Sequence, residues 1–217
     1  MKKTIIAIVV FCAFIILRYY YNESQKKEEF KLALIQELQS GISSMDYVLE
    51  DPLKNAIKKL EKLTNETRTV SEINEKMLSN IEIDLNVNYF SIDNFVKDDV
   101  WKSIQQSGLL KVYNIDELTS INSAYNNREK LSEAKKNITE FKNLIPLYLN
   151  DILYEELKDK NFKLSTICSS YRSKLRKTEY QCIQTIEAYQ IAIKILDPEN
   201  KFIKKRDSLQ SIKNKQL

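Results

Sequence analysis

The sequence predicts an all-α protein, an elongated helical bundle that follows an N-terminal transmembrane helix. Three observations predict it. Glycine and proline are nearly absent, with 2 and 3 in 217 residues, so the chain has little turn chemistry and few strand boundaries. Apolar residues recur at three-, four- and seven-residue intervals over long stretches. The chain also begins with an apolar run, Thr4–Tyr21.

In that run every residue from Ile5 to Leu17 is apolar. As a helix, its eighteen residues would extend roughly 27 Å, near the hydrocarbon thickness of a thin bilayer. Spanning then requires Arg18 to snorkel toward the headgroups. Tyr19, Tyr20 and Tyr21 suit the interface, because a phenol is apolar on its face and polar at its tip. A cleaved signal peptide is the rival, with Lys2 and Lys3 as its charged region, but the bulky residues after Leu17 offer no cleavage site. Lipoprotein processing at Cys12 is disfavoured by Phe11 before it. The predicted partner of residues 4–21 is therefore the lipid bilayer.

Lys2 and Lys3 nearly balance Arg18, Lys26 and Lys27, so the positive-inside count does not choose a side. A short charged N-terminus ahead of an uncleaved signal usually stays in the cytoplasm. That places the protein in the cell membrane as a single-pass chain with its body outside the cytoplasm.

The chain divides by pattern into a 1–21 anchor, a 22–80 helical hairpin, an 81–130 connector and helical module, a 131–197 long helical hairpin and a 198–217 basic tail. In the first hairpin Ile35, Ile42 and Leu49 are seven apart, as are Leu38 and Met45, with Gly41 a mild weakness. Asp51-Pro52 ends this helix and opens the next, which carries Leu53, Ala56, Ile57, Leu60 and Leu63 before a polar patch, Thr64–Thr69. The stretch Ile81–Tyr89 alternates apolar and polar residues, as a strand would. No partner strand is visible, so it reads as an extended connector, with absorption into a helix as the alternative.

Asp98 and Asp99 suit a helix N-terminus by capping and charge. Trp101 and Ile104 share the next face, and Gly108 suits the left-handed position after the last turn, with Leu109 closing the motif. Ile115-Asp116-Glu117-Leu118 opens a helix predicted to reach Ile145, where Pro146 breaks it and starts a shorter one. Asn161–Phe162 is predicted as a turn. Beyond it Cys168, Leu175, Cys182, Tyr189 and Leu196 are each seven apart on a long helix that Asp197-Pro198 ends. Both stripes can pair within one chain or between chains. Trp101, Ile104, Gly108, Leu175 and Tyr189 are the candidate partner or helix-packing contacts.

The anchor, a charged helix, and then Trp101, Ile104, Ser107, Gly108 and Leu110 with Leu118 and Tyr125 together resemble an uncharacterised bacterial family. Its members are single-span membrane proteins with a helical body and a W-x-x-I-x-x-S-G-x-L motif, a domain of unknown function. The resemblance covers the layout of roughly residues 1–130, and it implies architecture only. Arg18–Tyr21 and the long C-terminal helix depart from it.

Several chemistries lack their residues. The chain has no histidine, which removes the His-dependent nucleophile systems and most zinc sites. Two glycines cannot build a phosphate-cradling loop or a dinucleotide fingerprint. Glu28-Glu29, Asp98-Asp99 and Glu155-Glu156 are helix neighbours that point about 100° apart, so they read as caps or solvated faces. Cys168 and Cys182, about 21 Å apart along one helix, read as buried thiols. The three Asn-x-Ser/Thr sequons, at Asn22, Asn65 and Asn137, are expected by chance in such a composition.

Charge, 34 basic against 30 acidic residues, is too balanced to argue for nucleic acid. The tail, from Lys201, reads as a solvated helix end, or on a cytosolic body as a segment lying on anionic lipid or nucleic acid. The resulting expectation is a non-catalytic, cofactor-free, membrane-anchored interaction or scaffold protein, able to oligomerise or bind a protein partner through its stripes. The alternative is a membrane-tethered sensor or effector subunit that recognises a ligand or partner through its helical body.

Overall fold

A computed structural model describes residues 2–69, 78, 98–152 and 157–201; for 2–17, 19, 20, 68, 69, 112, 157 and 158 it describes the backbone alone. The described residues are all-helical, with no strand. In order they form α1 (Lys2–Glu50), α2 (Pro52–Thr69), α3 (Asp99–Gln106), a 3-10 turn (Leu109–Val112), α4 (Ile115–Ile152) and α5 (Leu157–Leu196).

The frame is the antiparallel pair of α4 and α5, 38 and 40 residues long, each therefore nearly 60 Å in length. No other described helix flanks the whole of it, and two apolar clusters divide it. In the first, Leu34, Ile35, Leu38 and Met45 of α1 meet Trp101, Ile104, Ile121, Tyr125 and Leu131 with Cys182, Tyr189 and Leu196. In the second, Leu53, Ala56, Ile57 and Leu60 of α2 meet Ile138, Ile145, Leu149 and Ile152 with Leu164, Tyr171 and Leu175. The α5 stripe expected from the sequence is buried throughout, with Cys168 and Leu175 fully enclosed. Within the chain, α1 and α2 cover opposite halves of it.

That arrangement corrects the expected hairpin of α1 and α2. One residue, Asp51, separates the helices, and its carbonyl still accepts from Asn55 N–H at 3.0 Å. So tight a junction bends the helical path without reversing it. Consequently α2 continues toward the far half of α5, where Arg176 Nη2 meets Glu61 Oε1 at 2.6 Å.

Pro146 is a second correction, for it lies inside α4. It is exposed, so its missing donor falls where water can replace it, while buried Ile145 and Leu149 hold both sides. The predicted turn at Asn161–Phe162 is likewise helical, inside α5. With neither Gly nor Pro there, nothing in the local sequence stops the helix. The polar patch at Thr64–Thr69 also stays helical, because buried Thr64 and Thr67 turn their hydroxyls onto the carbonyls of Leu60 and Thr64, at 2.6 and 3.1 Å.

The strand-like stretch Ile81–Tyr89, the end of the predicted 22–80 segment apart from Leu78, and the tail after Lys201 lie outside the described residues. So do the side chains of Ile5–Leu17, Tyr19 and Tyr20. Among the described residues no helix is long and apolar enough to cross a membrane.

Gly108 adopts φ 71°, the left-handed conformation expected for it, and no atom lies within 4 Å of where a Cβ would stand. Substitution there meets conformational cost and no steric one. Gly108→Ala should therefore destabilise the protein by about 1–2 kcal/mol, and Gly108→Asn by less, since Asn visits this region more readily. Denaturant melts of the two variants check the order; an Ala variant as stable as the parent would refute it.

Candidate functional site

The densest polar chemistry lies at the end of the bundle where α1 enters it, between α1, α3 and the start of α4. Glu37, in the middle of α1, points at α3. Its Oε2 accepts the Val100 N–H at 3.1 Å, and its Oε1 accepts the Tyr125 hydroxyl from α4. The first bond satisfies a donor that a helix N-terminus leaves unpaired. Asp98, at the cap position of α3, makes no side-chain cap. Its carboxylate is taken instead by Lys102 at 2.9 Å and Arg128 at 2.8 Å. The expected capping aspartate is thus an inter-helix tie, and a glutamate from another helix supplies the cap.

The aromatic side chains pack beside this network. Trp101 stacks on Tyr125 with centroids 5.6 Å apart and planes 14° from parallel, and Tyr125 lies 6.4 Å from Tyr189. Trp101, Ile104 and Tyr189 therefore come together, all buried, while Leu175 belongs to the other cluster and Gly108 is exposed. The four large side chains act as helix-packing contacts.

Closer to the start of α1, Asn114 and Glu117 form a reciprocal cap on α4. Glu117 N–H donates to Asn114 Oδ1 at 2.8 Å, and Asn114 N–H donates to Glu117 Oε2 at 3.0 Å. The buried Glu117 carboxylate also binds Lys31 of α1 at 2.6 Å, with Lys27 at 3.8 Å. Lys27 stands 5.8 Å over the Tyr113 ring. The hydroxyl of Tyr113 is buried with no partner in the structure, and burial pushes its pKa up to about 12. Lys111 reaches Glu23 at 3.4 Å, a further tie between α1 and the bundle. Before that point, Arg18 and Tyr21 are exposed and Tyr21 accepts from Gln25 at 2.8 Å.

Asn-x-x-Glu at Asn114–Glu117 is a capping-box signal legible in the sequence. By contrast, nothing local marks Glu37, Arg128 or Lys31, whose partners lie on other elements.

Electrostatics separate the carboxylates. Burial raises Glu37 above its ordinary 4.5, and its two hydrogen bonds only partly offset this while Asp99 and Asp98 add to it. Burial would also raise Asp98 and Glu117. Lys102 and Arg128 outweigh it at Asp98, and Lys31, the Asn114 N–H and Lys27 at Glu117, so both fall below the usual range. Tyr125 is raised well above 10 by burial and by Glu37. Each of these carboxylates is bound by protein donors, so the network locks helices together. Cys168 and Cys182 are free and buried, with thiols pushed up to about 12, first by burial. Among the described residues no group of three or more His, Cys, Asp or Glu could hold a metal.

At the opposite end, α4 and α5 enclose a cleft of about 360 Å³ lined by Phe141, Tyr148, Asp151, Phe162, Lys163 and Ser170 among others.

Opposite shifts predict opposite pH slopes. With a raised pKa, Glu37 contributes most stability when protonated, below about 4.5, and loses it as pH rises through the shifted value. Glu117 contributes above about 4.5 and loses stability as pH falls through its lowered value. Measured by chemical unfolding from acid to neutral pH, Glu37→Gln should gain on the parent as pH rises. Glu117→Gln should fall behind it, by about 3 kcal/mol at neutral pH. Parallel slopes would refute the assignment.

Comparison with protein-family models, with curated proteins and with solved structures finds no match for this chain.

Proposed function

We propose that this chain is a membrane-anchored, non-catalytic interaction or scaffold protein, held in the cell membrane as a single-pass chain by residues 4–21. The observation that carries the reading is the continuity of α1. It runs unbroken from Lys2 to Glu50, so the apolar run Thr4–Tyr21 leads into the packed body without a hinge. Among the described side chains of α1, Glu23 is the first to meet the rest of the bundle, pairing with Lys111 beyond the tyrosines, and the seven-residue stripes behind the apolar run are covered within the chain.

The body's role is to present a rigid surface to a protein partner. Exposed Tyr180, Ile183 and Ile191 on α5 are available for a partner or a second copy. A second reading, a membrane-tethered sensor or effector subunit, draws on the cleft between Phe141 and Phe162, at the end of the bundle away from the anchor.

Alkaline washing of membranes checks the anchor. The full chain should stay with the membrane, and a chain lacking residues 1–21 should be released; release of the full chain would sink the reading. Reporter fusions after Leu49 and at Leu217 then read the side of the body, expected to be outside the cytoplasm.

A further inference from the structure

The cleft between α4 and α5 is rich in aromatic rings. Phe141 and Tyr148 line it from α4 and Phe162 from α5, with Ile152 and Ile167 beside them. Phe141 is partnered by the protein itself. Lys174 Nζ stands 5.3 Å over its ring, and Tyr171 stacks on it at 5.7 Å. Tyr148 and Phe162 remain 38% and 71% exposed, so much of each ring is open to a guest. The Lys174 contact shows that a cation already settles on one ring of this group.

Leu144, Tyr148 and Asp151 follow one another along one face of α4, because residues three and four apart are neighbours on a helix. Leu144 is exposed like Tyr148, so an apolar strip about 10 Å long leads to the carboxylate that lines the cleft. Among the described residues Asp151 has no hydrogen bond and no ion pair. The carboxylates at the other end of the bundle, by contrast, are all bound by protein donors. Lys163, the other charged side chain of the lining, already has an interaction of its own. The charge left for a guest is therefore negative, and it stands beside open aromatic rings. A carboxylate and aromatic rings together recognise an ammonium group, one by ion pairing and the other through the ring quadrupole. A cavity of about 360 Å³ suits a small organic molecule. With residues 4–21 in the bilayer, this end of the bundle faces away from it, so a guest arrives from solution.

We propose that this cleft binds a small, water-soluble organic amine, its ammonium paired with Asp151 and its apolar body against Tyr148 and Phe162. The proposal rests on the sensor or effector reading and names the class of ligand for it. A carboxylic acid with the same body sets its charge against Asp151 and is rejected. The neutral alcohol keeps the apolar contact and loses the ion pair.

The test uses the full chain in phosphatidylcholine nanodiscs and three probes that share one body: phenylbutylamine, phenylbutanol and phenylbutyric acid, each with its polar group at the chain end away from the ring. Calorimetric titration, with empty discs subtracted for partition into the lipid, should show saturable binding of the amine, weaker binding of the alcohol and none of the acid. Asp151→Asn should weaken the amine at least about tenfold, the loss expected for a hydrogen bond between charged groups, and leave the alcohol unchanged. Phe162→Ala should weaken both. Both positions are exposed, so the thermal melt should not move. Asp46→Asn removes the same charge from an exposed site on α1 and should leave amine binding as in the parent; an equal loss there would reduce the effect to net charge and overturn the proposal. Acid or alcohol bound as tightly as the amine would overturn the ammonium assignment and leave the cleft a ligand site. Binding of none of the three would overturn the proposal together with the cleft's part in the sensor reading.

Discussion

The structure depends on covering one long apolar stripe. From Leu164 to Leu196 the buried positions of α5 extend over most of a 40-residue helix, and an exposed stripe of that length would be insoluble. Its antiparallel partner α4 covers one side along the length. The remaining side is shared, with α1 over the half from Cys182 to Leu196 and α2 over the half from Leu164 to Leu175. Every other packing choice follows from that division, including the bend at Asp51-Pro52 that keeps the path running along α5.

The apolar clusters supply stability without strict orientation, because a helix with a broad apolar face can slide or rotate against its neighbours at small cost. Polar ties restrict that freedom. Glu37 has to find both the Val100 N–H and the Tyr125 hydroxyl, Asp98 has to reach Arg128, and Glu117 has to meet Lys31 while capping its own helix. Each is a buried or half-buried charge that would be costly unpaired. They concentrate where α1 enters the body, so the joint between the apolar run and the bundle is the most closely specified part of the fold. A stiff joint fixes the direction of α1 relative to the body.

Much of this was legible in the sequence because helical periodicity is local. The α5 stripe, Asp197-Pro198 as its end, the shared face of Trp101 and Ile104, and the left-handed Gly108 each depend on residues within a turn or two of one another. The errors came where tertiary burial overrode a local signal. Pro146 reads as a break, yet α4 continues because Ile145 and Leu149 are buried on either side of an exposed proline. The predicted hairpin of α1 and α2 likewise gives way to two helices that cover different halves of α5.

The sequence by itself determined that the chain is helical, roughly where most helices begin and end, and which faces are apolar. It did so because those features follow from a 3.6-residue period and from the backbone limits of Gly and Pro. Only the tertiary structure decided that α2 continues past α1, that Glu37 caps a helix sixty-three residues away, and that the end of α5 returns to the side of the bundle where α1 enters. Those outcomes join residues that are distant in the chain, and a periodic apolar stripe specifies that it must be covered without specifying by what.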